Sequence, residues 1–259
     1  MKGIILYFSG TGNTKFIANK IGEEFSKNGC EMDIYSIEEK IELKNLSYDY
    51  LILGFPKYFE YIPKIFFDYL EDNLYDSPKE IKTMIFSTGK DKAKTYFNEL
   101  EKKLSQKNYK VIVTKNFQMP DSYTLAKGYK KNTRKDIREI FDNSLVEVKN
   151  AVVNFLTDHY MKEDINEFSA TFYKTINKIK TKDFYKNSVN FSVNINCDKC
   201  NLCVNICPVK NIDNIGGEIK FRDNCIMCCR CVNACPKNAI MYKEKEHSQY
   251  KENIDLVVS

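Results

Sequence analysis

The chain has 259 residues, enough for one full-sized domain and a smaller second one. With 43% hydrophobic and 29% charged residues it can bury a core, which excludes an intrinsically disordered chain. The formal net charge of +5 argues little for nucleic acid, because the lysines are scattered beside Glu and Asp rather than gathered into one stripe.

The first apolar run, Ile4–Phe8, is too short for a signal h-region, and no stretch approaches the ~20 apolar residues of a membrane span. The expectation is a cytoplasmic protein with no membrane span and no nucleic-acid partner. From there to residue 114, short apolar runs alternate with helix-period stretches. The runs are Gly3–Phe8, Met32–Ile37, Tyr50–Gly54, Thr83–Ser87 and Lys110–Thr114; the helical stretches are Thr14–Phe25, Pro63–Leu74 and Lys92–Leu104. Such alternation predicts βαβ units and a parallel sheet covered on both faces. A helix over Thr133–Leu156, with Ile137, Ile140, Phe141, Leu145, Val148, Val152 and Phe155 at spacings of three and four, closes a doubly wound five-stranded domain.

The first predicted strand runs into Ser9-Gly10-Thr11-Gly12-Asn13-Thr14 and then directly into a helix. A phosphate there would meet backbone N–H groups, the positive end of a helix dipole and three hydroxyls. Neither common nucleotide motif fits: Gly12 is not followed by the Lys-Thr of a P-loop, and Lys15 stands where the dinucleotide fingerprint needs a third Gly. The run S-G-T-G-N-T resembles the phosphate loop of flavodoxins, and residues 1–157 resemble their fold. That resemblance implies FMN at the switch point beside strands one and three. Ser9, Gly10, Thr11, Gly12, Asn13 and Thr14 would then hold the phosphate. The loop after strand three, with Phe55, Pro56 and Tyr58, and the loop after strand four, with Ser87, Thr88 and Gly89, would flank the isoalloxazine ring. Tyr58 is the aromatic expected to stack on it.

Ile165, Phe168, Phe172, Ile176 and Ile179 again recur at helical spacing, which predicts an amphipathic connector over residues 158–190. The chain turns polar and aperiodic over Lys182–Asn196, where a domain boundary is expected, and a small module follows over residues 191–245.

Eight of the ten cysteines fall within the 39 residues Cys197–Cys235, a clustering that points to ligands or redox groups in a reducing compartment. Cys197–Ile212 aligns with Cys225–Ile240 at an offset of 28 and matches at 8 of 16 positions, so the module is a duplication. Each copy reads C-x2-C-x2-C-x3-C-P, the spacing that ligates [4Fe–4S] clusters with the fourth Cys crossing to the other cluster. One cluster would take Cys197, Cys200, Cys203 and Cys235, and the second Cys225, Cys228, Cys231 and Cys207. A zinc site or a disulfide framework leaves the third Cys and the Pro of both copies unexplained. Asn211–Asn224, with Gly216-Gly217, predicts a hairpin or turn. Cys229 aligns with Asn201 and is not expected to ligate; Cys30 reads as a structural thiol.

Residues 197–240 resemble a bacterial two-cluster ferredoxin, and the whole chain resembles fused flavodoxin/ferredoxin proteins in order and size. The resemblance implies two [4Fe–4S] clusters, one FMN, and electron transfer between them and an external redox protein. Bound cofactors would also bring the net charge from +5 to about −1. Two alternatives stay open: a flavin-dependent reductase with a small-molecule acceptor at the flavin, and a cluster-based redox sensor. His159 and His247 lie outside the flavin loops and are expected at the surface, so no acid–base pair supports the reductase.

Overall fold

The computed structural model describes residues 1–92, 94–163, 175 and 188–258. The predicted connector helix at Ile165–Ile179 lies outside the described residues. The chain separates into two compact units, neither continuous in sequence. The first comprises Met1–Ser9, Asn13–Pro120 and Arg134–Lys174; the second comprises Gly10–Gly12, Asp121–Thr133 and Thr175–Ser259.

The first unit is built on β1 (Lys2–Tyr7), β2 (Glu31–Ser36), β3 (Tyr50–Pro56), β4 (Ile81–Gly89), β5 (Tyr109–Gln118) and β6 (Met161–Lys162). All pairs are parallel, in the order β2-β1-β3-β4-β5-β6, so the chain reverses direction across the sheet between β1 and β3. The inner strands read as continuous apolar runs because helices cover both faces: Ile4–Leu6 and Leu51–Leu53 are buried without alternation. On one face α1 (Asn13–Lys27) and α4 (Arg134–Leu156) bury Ile17, Ile21, Phe25, Val148, Val152 and Phe155 against Ile5, Ile52, Met84 and Phe86. Elsewhere in the core, Phe66 of α2 (Lys64–Asn73) and Phe97, which precedes α3 (Asn98–Ser105), pack their rings on Phe55.

Two departures from the sequence reading have physical causes. The sheet has a sixth strand, β6, too short at two residues to leave an alternation signal. Glu163 holds it: its backbone N–H donates to Thr114 Oγ1 (2.9 Å), and its carboxylate accepts from Lys115 Nζ (2.6 Å) and the Asn116 N–H (2.9 Å). Helix α3 starts at Asn98 rather than Lys92, because the preceding residues are held elsewhere. The Tyr96 N–H donates to the Glu60 carbonyl, and the Thr95 hydroxyl pairs with Ser87.

The second unit carries β7 (Phe191–Val193), α5 (Leu202–Asn205), β8 (Ile212–Ile215), β9 (Glu218–Phe221), α6 (Arg230–Ala234) and β10 (Ile240–Tyr242). β8 and β9 form the predicted hairpin, and both central glycines have positive φ (62° and 85°), as a two-residue primed turn demands. The duplication seen in the cysteines extends through the backbone. Left-handed residues recur at the offset of 28: Lys199 with Met227, Asn201 with Cys229, Lys210 with Asn238. Hydrogen bonds exchange in the same way, Arg222 N–H to Asn211 carbonyl matching Asn194 N–H to Ala239 carbonyl. The repeat therefore begins upstream of Cys197, at β7, which pairs antiparallel with β10 inside the stretch read from sequence as aperiodic.

Candidate functional site

Two groups of side chains carry chemistry. In the first unit, Ser9 follows β1 and α1 begins at Asn13. The first turn of α1 has no acidic side chain, which leaves the positive end of its dipole unopposed. Ser9, Asn13, Thr14, Ser87 and Thr88 are all buried. Thr14 Oγ1 and Thr88 Oγ1 lie 2.8 Å apart, and Asn13 Nδ2 donates to the Pro120 carbonyl at 3.0 Å. Neutral, buried hydroxyls at a helix N-terminus are the donor set that suits a phosphate dianion. The residues fit a phosphate group.

The remaining loop residues divide by role. Ser87 is committed inward: its hydroxyl lies 2.7 Å from Thr95 Oγ1 and donates to Asn116 Oδ1 at 2.9 Å. Phe55 is wholly buried between Phe66 and Phe97, so its side chain belongs to the core rather than to a ring contact. Tyr58 is half-buried on a tight turn in which its N–H and carbonyl bond reciprocally with Tyr61, while Phe59 and Glu60 adopt positive φ. A Cβ on Gly89 would fall 2.2 Å from the Lys57 side chain. Nothing in the sequence singles out Lys57. Its side chain is only 6% exposed, and its ammonium pairs with Asp91 at 2.6 Å, 34 residues away, a distance at which nothing in the letters connects them.

Gly10–Gly12 group with the second unit. Thr11 Oγ1 donates to Ser122 Oγ (2.8 Å), and the Gly10 carbonyl accepts from Arg230 Nε (3.1 Å). Both glycines allow close backbone approach. A Cβ on Gly10 would lie 2.9 Å from the Cys228 carbonyl oxygen, and one on Gly12 (φ +95°) 1.8 Å from that of Asn253.

Eight of the cysteines gather around two hollows. Cys197, Cys200, Cys203 and Cys235 line one; Cys207, Cys225, Cys228 and Cys231 line the other. Each foursome therefore includes one cysteine from the opposite copy of the repeat, in the crossed pattern expected from the spacing. All ten cysteines are free thiols. Among the described residues, no group of three or more His, Cys, Asp or Glu converges closely enough to hold a single metal ion. Four sulfurs around a hollow suit a cubane cluster, whose irons stand apart at the corners of a cube. Burial pushes the Cys203 thiol up to about 11 and that of Cys225 up to about 12, each aided by neighbouring thiols. N–H···S bonds repeat with the duplication: Asn211 N–H to Cys207 Sγ (3.2 Å) and Ala239 N–H to Cys235 Sγ (3.3 Å).

Cys229, 3% exposed, lines the second hollow but sits in the left-handed conformation of Asn201 and directs its thiol to the Met227 carbonyl. Cys30 is buried in the apolar core of the first unit. His159 is exposed as expected. His247 is not a plain surface residue: it is half-buried, with its ring nitrogens 3.2 Å from the Thr124 and Tyr242 carbonyls.

A doubly wound sheet with a hydroxyl-rich loop after β1, joined to a duplicated cysteine module, defines a flavodoxin–ferredoxin fusion. A family model described as a flavodoxin domain matches residues 4–141, more than half of the chain, and the chain belongs to that family. A 4Fe-4S binding domain matches residues 219–241. Among solved structures, the chain is similar to a flavodoxin from Megasphaera elsdenii in its two-electron reduced form: 21% identity, 56% of this chain and 98% of that one, TM-score 0.41. It is similar as well to an oxidised flavodoxin 2 from Bacillus cereus: 18% identity, 61% and 99%, TM-score 0.42. A comparison with curated proteins gives no match. The chain is thus an electron-transfer flavoprotein with an iron–sulfur domain, and among the described residues no helix is long and apolar enough to cross a membrane.

Proposed function

We propose that the chain carries one FMN and two [4Fe–4S] clusters and moves electrons between them, coupling one-electron redox proteins to two-electron flavin chemistry. A flavin exchanges one or two electrons and a cubane cluster one. The observation that carries the reading is the division of eight cysteines into two crossed foursomes, each around its own hollow. In it, Cys197, Cys200, Cys203 and Cys235 hold one cluster, and Cys207, Cys225, Cys228 and Cys231 the other. Pro208 and Pro236 end the run after each crossing cysteine by removing an N–H and fixing φ.

On the flavin side, the Ser9–Thr14 loop holds the phosphate, with Thr88 adding a hydroxyl beside Thr14. Tyr58 and Gly89 flank the ring, and Lys57 places a cation behind Gly89. The exposed Cys200 puts the first foursome nearest solvent, which suits exchange with an external carrier.

The test is cofactor stoichiometry after anaerobic reconstitution. The expected content is one FMN and about eight irons per chain. Iron near half that value, or a flavin other than FMN, contradicts the reading.

A further inference from the structure

Duplication makes the two hollows near-copies, so any residue that breaks the symmetry sets one cluster apart from the other. The backbone around them does not break it. The N–H···S bond to Cys207 has its counterpart in the bond to Cys235, and the left-handed turns recur at the same offset. The side chains differ at several positions, but a charge is buried at just one of the aligned pairs, the one before the third cysteine of each copy: Leu202 in the first, Arg230 in the second.

Arg230 is 3% exposed, although it stands between Cys229 and Cys231 where the letters alone suggest a surface charge. It lines the second hollow, and outside the cysteines it is the one formally charged residue among the described residues that do so. Its guanidinium is held by backbone carbonyls: Nε donates to Gly10 (3.1 Å) and Nη1 to Ile206 (2.9 Å). The first hollow is lined by Leu202 at the matching place, and its charged lining residues, Asp198, Lys199 and Lys237, are exposed to water that screens them.

We infer that Arg230 sets the reduction potential of the cluster held by Cys207, Cys225, Cys228 and Cys231, raising it so that this cluster takes the first electron. The physics is direct. Reduction adds one negative charge to the cluster, and a fixed, buried cation beside it favours the reduced form. Guanidinium cannot discard its proton to escape burial, so the charge persists. Desolvation works the other way, since Cys200 opens the first hollow to solvent. Without Arg230 the second cluster would be the harder of the two to reduce. The bond to the Gly10 carbonyl holds the guanidinium in place.

The inference rests on the two-cluster reading, and the experiment separates the two. Full-length protein is reconstituted anaerobically, its iron measured, and its clusters followed by electron paramagnetic resonance through a potentiometric titration. Two one-electron waves are expected. In Arg230→Gln the upper wave moves down by at least tenfold in the reduction equilibrium, about 59 mV, while the lower wave stays in place. Arg230→Lys keeps the charge and stays near wild type. Leu202→Arg installs the cation in the other copy and lifts the lower wave, which tests the idea even if the Arg230 variants fold poorly. Waves that stay put in both Arg230→Gln and Leu202→Arg, or that shift together, overturn the role of Arg230 in a fully loaded protein. Iron for only one cluster contradicts the two-cluster reading instead.

Discussion

Thr14 and Thr88 satisfy one another in a buried place, so each is costly to remove alone. Thr14→Val is expected to destabilise the first unit by about 1–3 kcal/mol, the cost of a stranded buried hydroxyl. The double variant Thr14→Val/Thr88→Val should regain most of that in urea denaturation while binding FMN at least tenfold more weakly by fluorescence titration, a loss of about 1.4 kcal/mol. At Gly54 the constraint is packing. A Cβ there would fall 2.1 Å from the Phe86 ring, and Gly54→Ala should cost about 1–3 kcal/mol in the same assay. Residues of this kind differ in how far the letters disclose them. Ser9–Thr14 stands out in the sequence because six consecutive letters sit at a strand-to-helix junction, which the fold places between β1 and α1. The partners of Ser87 lie 8 and 29 residues away, and Arg230 looks like any basic residue until its burial is seen.

At the scale of elements, the inner strands were legible because burial on both faces writes an unbroken apolar run, and α1 and α4 because their apolar residues keep a helical period. What escaped notice owes its existence to tertiary partners. β6 is ordered through Glu163 rather than by its own sequence. Glu163→Ala is expected to cost about 1 kcal/mol, discounted for the partial exposure of the Lys115 pair, and to speed hydrogen exchange at the Asn116 amide. Exchange unchanged at Asn116 would remove Glu163 as the anchor. β7 escaped for a different reason: three residues, Phe191–Val193, are too few to show an alternation of their own and are ordered by pairing with β10.

For the whole molecule, sequence order and compact units do not coincide, because Gly10–Gly12 and Asp121–Thr133 group with the C-terminal unit. No local pattern announces such an exchange, which depends on backbone approaches at glycine. The second unit has a small apolar core, Leu125, Phe191, Met227, Val232, Ile240 and Tyr242, with Cys203, Cys225, Cys231 and Cys235 packed against it. A core of that size leans on its metal, so iron chelation should loosen this unit and leave the first intact. Limited proteolysis with mass spectrometry is expected to release fragments from residues 188–258 while the six-stranded sheet survives; joint loss of both units would contradict this.

The most direct test of the account is a reductive titration of the anaerobically loaded chain, resolving flavin bands from the broad cluster absorption. The account expects about four electrons per chain, with flavin and clusters bleaching in turn and re-equilibrating within one molecule at a rate independent of protein concentration. Clusters that are reduced while a bound flavin stays oxidised, or that equilibrate with it only through collisions between molecules, would contradict it.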